Sequence, residues 1–217
     1  MPSVLTILTM KIESISAGPD RAGRYYVLFS DGSKLRLYRQ TVEDFGLYTG
    51  KELEETEMKQ LHSAAGAMSA KMRAVRIISA SNVSKGDLQR RLVQKGETPG
   101  DAADAVKWME DMDILDDRKT AESIVRSCAA KGYGMARAKQ ALYEKRIPKQ
   151  YWQEALEDYP DQSDTILTFL QNRLDDSRDP RQQRRAVEAL IRRGHSYSDI
   201  RRALQQLSMD MDDFREE

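Results

Sequence analysis

Apolar and polar positions alternate through the first forty residues, in Lys11-Ile12-Glu13-Ser14-Ile15, Tyr25-Tyr26-Val27-Leu28-Phe29 and Lys34-Leu35-Arg36-Leu37-Tyr38. A period of two places every second side chain on one face, so three short strands are expected here. Asp31-Gly32 lies between the second and third and supplies the positive φ angles of a tight hairpin. Gly18-Pro19 and Gly23 mark the preceding turn. From about Thr41 the period lengthens, which predicts a helix around Val42 to Leu47 and another from Lys51 to about Ala65, after the break at Thr49-Gly50. From about Ala67 onward the pattern is helical throughout.

The helical part repeats itself with a period of about 50 residues. When Gly96, Arg146 and Gly194 are aligned as a common reference, apolar residues recur at fixed offsets. Four positions before it stand Leu92, Leu142 and Leu190, and eight before it Leu88, Ala138 and Ala186. Val93, Tyr143 and Ile191 stand three before. After it, at offsets 6, 9, 10 and 13, come Ala102, Ala105, Val106 and Met109, then Trp152, Ala155, Leu156 and Tyr159, then Ile200, Ala203, Leu204 and Leu207. That spacing is one face of a helix.

With a lead-in helix at about 70–80, 118–130 and 163–174, each repeat holds three helices. The expected fold is mainly α, with three tandem three-helix repeats forming an elongated, curved body behind a small N-terminal module of a β-hairpin or three strands plus a helix. The expected boundaries are 1–66 for the N-terminal module, 67–117, 118–160 and 161–209 for the repeats, and 210–217 for a tail. Ser84 and Asp179 suit helix N-caps, Pro180, Pro99 and Pro148 suit helix starts, and Gly96, Gly132, Gly134 and Gly194 suit left-handed helix ends.

Composition narrows the chemistry. The chain has 217 residues, 35 basic and 35 acidic, with 40% hydrophobic and 32% charged, enough for a core organised as narrow apolar stripes. One cysteine, Cys128, excludes an internal disulfide framework, and His62 and His195 cannot alone build a metal site. No stretch approaches the ~20 apolar residues of a membrane span, and a cytoplasmic protein without a metal or cofactor is expected. P-loop, dinucleotide-binding, zincin and nucleophile-elbow motifs are absent, so no catalytic residues are assigned. Cys128 reads as a buried thiol, His195 as a cap or surface contact, and the acidic run Glu110 to Asp117 as a solvated helix end without the EF-hand glycine and glutamate. Trp108, Trp152, Tyr143 and Tyr159 fall at or beside core offsets and read as packing residues.

Charge is unevenly placed. Between Arg178 and Leu207, eight arginines (178, 181, 184, 185, 192, 193, 201 and 202) face three acidic residues, a net charge of +5, and no lysine occurs. From Ser208 the sign reverses to −4. At ~100° per residue, Arg181, Arg184, Arg185 and Arg192 are expected to share one arc, roughly opposite Ala186, Val187, Leu190 and Ile191. Arg201 and Arg202 likewise oppose Ile200 and Leu204. These are either the outer faces of amphipathic helices or a platform of planar forks for carboxylates or phosphates. Arg126, Lys131, Arg137 and Lys139 form a second, weaker basic group.

From about Ala74 to Leu207 the chain resembles the RecX regulatory proteins, modulators of the RecA recombinase. The middle repeat carries the most specific part: Ile114-Leu115-Asp116-Asp117, Ala121, Val125-Arg126, Lys131-Gly132-Tyr133-Gly134, Arg137, Leu142 and Lys145-Arg146-Ile147. It is similar to that family's L-D-D turn, G-x-G-x-x-R segment and L-x-x-K-G-I close. Ser84, Asp87-Leu88 and Leu92 to Gly96 support it in the first repeat, and Arg193-Gly194-His195-Ser196 with Ile200 in the third. Arg146 stands where the family usually has glycine, and Ala80 to Val83 where it often has arginines, so no basic contact is assigned there. The resemblance implies a non-enzymatic, monomeric regulator that binds RecA and lies in the groove of the RecA filament on single-stranded DNA. There it would depress ATP hydrolysis, strand exchange and the stimulated self-cleavage of the SOS repressor. The candidate contacts are Arg126, Arg137, Lys139, Arg181, Arg184, Arg185, Arg192, Arg193, Arg201 and Arg202. A stand-alone DNA-binding protein using the same arginines, or a helical scaffold for an unrelated partner, are the alternatives.

Overall fold

A computed structural model of the chain describes residues 9–174 and 179–207. Arg178 and the acidic tail from Ser208 lie outside the described residues. The fold is mostly helical, with an N-terminal four-stranded antiparallel sheet and ten α-helices among the described residues. Two compact units result, one of residues 1–81 with 88–114, the other of residues 82–87 with 115–217.

In the first unit, β1 (Thr9–Ile15), β2 (Arg24–Phe29) and β3 (Lys34–Tyr38) are the three expected strands. Gly32 at φ +80° turns the β2–β3 hairpin. A short helix, α1 (Arg39–Asp44), follows β3. A fourth strand, β4 (Glu52–Glu54), completes the order β3-β2-β1-β4, pairing Met10 with Leu53. The helical period expected from Lys51 therefore starts four residues late, at Glu55. In Glu52-Leu53-Glu54 the central leucine is fully buried between two exposed glutamates, an alternation too short to register as a strand. Ile12, Val27, Phe29, Leu37 and Leu53 pack on Met58 and Leu61 at the start of α2 (Glu55–Ala80).

Helix α2 runs unbroken through Gly66, where the sequence suggested a boundary between two helices. Gly66 is there for close approach: an added Cβ would lie 2.8 Å from Asp101 Oδ2. Asp101 sits in the first turn of α4 (Pro99–Asp111), which Thr98 caps. The buried Glu97 carboxylate accepts from Arg73 Nε at 2.6 Å and Ser69 Oγ at 3.0 Å, tying the loop before α4 to α2. The chain passes from one unit to the other within α3 (Lys85–Gln94).

The second unit contains α5 (Asp117–Ala130), α6 (Met135–Glu144), a 3₁₀ turn at Lys149–Tyr151, α7 (Trp152–Glu157), α8 (Ser163–Gln171), α9 (Pro180–Arg192) and α10 (Tyr197–Gln206). One core gathers Ala121, Val125, Cys128, Ala138, Leu142, Ile147 and Leu156, and another Ile166, Leu170, Ala186, Val187, Leu190, Ile200 and Leu204. Asp179 caps α9 through the Arg181 amide with Pro180 at its first position.

The three reference residues close their helices in the same way. Gly96, Arg146 and Gly194 have φ of +94°, +55° and +86°. Their amides donate to Val93, Tyr143 and Ile191, and the next amides, of Glu97, Ile147 and His195, reach back to Leu92, Leu142 and Leu190. This paired closure leaves a left-handed residue after each helix. Arg146 holds it without being glycine, at a cost of ~1–2 kcal/mol for the left-handed backbone.

Candidate functional site

The segment around the middle glycines is a joint between helices of the second unit. Gly134 ends no helix: it precedes α6 at φ −76°, and its side chain cannot cap. The exposed amides of a helix start need acceptors, and here backbone carbonyls provide them. Gly134 N–H donates to Arg193 O at 2.9 Å, and Ala136 N–H to Gly194 O at 3.2 Å. The contact leaves no room for a side chain, since a Cβ on Gly134 would stand 2.0 Å from Gly194 O, and one on Gly194 2.3 Å from Arg137 N. Thus Gly134 serves close approach, whereas Gly132, at φ +63°, is the left-handed residue after α5.

The same register recurs at the start of α3. Ser84, twelve positions before its reference as Gly134 is before its own, donates its hydroxyl to Lys145 O, one position before Arg146, and accepts the Asp87 amide at 3.0 Å. Asp117 Oδ1 accepts the Lys85 amide at 2.8 Å, and a Cβ on Gly86 would sit 3.3 Å from Arg146 Cβ. The acidic run is accordingly not one solvated end. Asp117 is buried in this joint, and Asp116 caps α5 through the Arg118 and Lys119 amides.

His195 is a buried member of the α6–α9 joint, not a cap or surface contact. Its Nε2–H donates to Gly132 O at 3.1 Å, and burial, with Arg193 adding to it, holds its pKa below the ordinary 6.5, against the Gly132 bond and Asp199. The unfolded chain therefore binds the proton first as pH falls. Stability should decline from about pH 6.5 down through the folded-state pKa. Urea unfolding of the wild type and His195→Asn should show the difference between them narrowing from pH 7.5 to pH 5, and a constant difference would place the imidazole in water.

Arg193, a candidate contact in the sequence, also belongs to this joint. Half-buried, it donates from Nη2 to Lys131 O at 3.1 Å and lies over the Tyr133 and Phe169 rings at 5.4 and 5.6 Å. Tyr159 O–H donates to Tyr133 O at 2.6 Å, and desolvation pushes its pKa to about 12. Cys128 is a buried thiol whose pKa burial raises. Trp152 donates to Ile147 O at 2.9 Å, and Trp108 is half-buried with Lys71 over its ring.

Most of the remaining candidates are exposed. Arg181, Arg184 and Arg185 on α9 and Arg201 on α10 are exposed, and their side chains have no ion pair among the described residues. Arg192 meets Glu188 at 3.8 Å and Arg202 meets Asp199 at 3.6 Å, both within one helix. Arg126 and Lys139 are exposed, while Arg137 is drawn to Glu144 at 3.1 Å. Position −10, where α3 carries Gly86 against Arg146, carries Arg184 in α9, so an element of the joint in one repeat is a surface cation in another.

A model of the RecX second three-helix domain matches residues 116–156. The Regulatory protein RecX of Chromohalobacter salexigens is 29% identical over 133 residues, 60% of this chain and 88% of that protein. That of Vibrio parahaemolyticus is 27% identical over 143 residues, 64% of this chain and 92% of that protein. A crystal structure of regulatory protein RecX superposes with a TM-score of 0.59 at 21% identity, covering 92% of this chain and 98% of that one. Residues 116–156 thus match a RecX domain, and the chain is similar to RecX regulatory proteins over about 60% of its length.

The RecX domain match begins at Asp116, the N-cap of α5, and runs through α6 to Leu156 in α7, so it contains the Gly132-Tyr133-Gly134 half of the joint. The second glycine of the RecX-like motif, Gly134, thus builds a backbone contact between helices, and its arginine, Arg137, packs against Gly194. RecX relatives bear the name of regulatory proteins. Among the described residues no helix is long and apolar enough to cross a membrane, and no cluster of three or more metal-ligating side chains occurs.

What the sequence missed is the exposure of Tyr143. It is 67% exposed, not packed. A helical wheel carries the signal: position −3 lies ~100° from the buried leucine at −4 and ~140° from position −8.

Proposed function

We propose that this protein is a cytoplasmic, monomeric, non-enzymatic regulator that binds RecA on single-stranded DNA and restrains its activities through the basic face of α9 and α10. The observation that carries this reading is the group of exposed arginines without ion pairs among the described residues, Arg181, Arg184, Arg185 and Arg201. Planar guanidinium forks suit carboxylates of a protein surface and phosphates of its bound DNA. Binding alters the filament's activity only where the protein favours one arrangement of protomers over another. Arg126 and Lys139 add charge on a neighbouring repeat. Arg193 contributes chiefly by holding the joint.

The test is DNA-dependent ATP hydrolysis by RecA. Substoichiometric protein should lower it, and no effect at severalfold excess would overturn the reading. The double variant Arg184→Glu, Arg185→Glu should lose at least tenfold in potency with unchanged helicity and melting temperature. Affinity for bare DNA that equals filament affinity and falls steeply with salt would instead identify a stand-alone DNA-binding protein.

A further inference from the structure

Large apolar side chains that reach water singly are ordinary on protein surfaces. Recurrence at one structural position is not, and here one such position recurs in all three repeats. Val93, Tyr143 and Ile191 are 41%, 67% and 49% exposed. Each is the penultimate residue of its helix, α3, α6 or α9, and each carbonyl accepts from the left-handed residue that follows. Each backbone is therefore fixed by the same closure, and a buried leucine immediately before it anchors the turn.

The sequence on either side of these residues is predominantly basic. Arg90 and Lys95 lie near Val93 in sequence, Lys139 and Arg146 near Tyr143, and Arg184 and Arg192 near Ile191. The nearby acids Glu144 and Glu188 already meet Arg137 and Arg192. We propose that Val93, Tyr143 and Ile191 are equivalent apolar anchors for an acidic protein surface, presented in repeated copies by a polymeric partner. Valine and isoleucine have no ring on which a base could stack, so their common position suits a protein socket and not nucleic acid. An apolar anchor within a charged rim is the arrangement that concentrates binding energy at protein interfaces.

This rests on the RecA reading, and assigns the apolar contacts to the protein component of the filament. Filament binding by the wild type tests that reading separately. Given such binding, the double variant Tyr143→Ser, Ile191→Ser should bind RecA on single-stranded DNA at least tenfold more weakly, with bare-DNA affinity changed less than twofold. Lysine at both positions suits an exposed helix surface and separates binding from folding. It should also weaken filament binding by at least tenfold, yet raise affinity for bare DNA. Filament affinity within twofold of wild type in the folded lysine variant, or parallel losses on filament and bare DNA, would overturn the assignment.

Discussion

Replacement of Gly134 with alanine should destabilise the second unit by about 3–5 kcal/mol, although its backbone is one that any residue adopts. At φ −76° and ψ 164° alanine meets no conformational penalty. The whole cost comes from the added methyl, which would lie 2.0 Å from Gly194 O and 2.4 Å from the His195 amide. Backbone on both sides leaves no flexible side chain to yield, so the joint must open. Opening breaks the bond from the buried Gly134 amide to Arg193 O, and an unsatisfied buried donor costs ~1–3 kcal/mol. The His195 bond to Gly132 and the Arg193 bond to Lys131 span the same joint and weaken with it. Gly18→Ala is the control, because no atom lies within 4 Å of its would-be Cβ and its φ is not left-handed. Urea unfolding should separate the two substitutions by at least 2 kcal/mol. Equal stabilities would mean that the close backbone contact does not exist in solution.

The joint shows where sequence reasoning stops. The aligned references were legible because a left-handed helix closure is local: Gly96 and Gly194 advertise it, and Arg146 inherits it by register. The buried leucines were legible because helical periodicity reports one face. Gly134 was legible as a special residue but not as a contact, since close approach depends on Gly194, sixty positions away. Gly66 is silent for the same reason, because the group it makes room for, Asp101, is thirty-five positions away. A glycine that relieves a contact and one that breaks a helix look alike in sequence. Among the candidate contacts, Arg184 and Arg193 differ only in what surrounds them. One faces water, and the other covers Tyr133 and Phe169. Charge counting treats them alike because it carries no information on tertiary neighbours.

Leu142→Ala and Leu190→Ala should each cost about 2–5 kcal/mol, the range for a buried leucine whose removal leaves a partly uncollapsed cavity. Both side chains are fully buried at the same offset from their helix closures. Position −8 beside them is alanine in both repeats, Ala138 and Ala186, a short side chain that cannot extend into the void. This favours the upper half of the range. The two leucines belong to separate core clusters, so their losses should add to within about 0.5 kcal/mol. Substitution of the next residue sharpens the test, because one step along a helix turns a side chain by ~100°. Tyr143→Ala lies outside the core and should change stability by no more than about 0.5 kcal/mol. Urea unfolding would thus rank two consecutive residues far apart. A Leu142→Ala cost near zero, or a Tyr143→Ala cost equal to it, would mean that α6 is rotated about its axis and would remove the common position on which the proposed anchors depend.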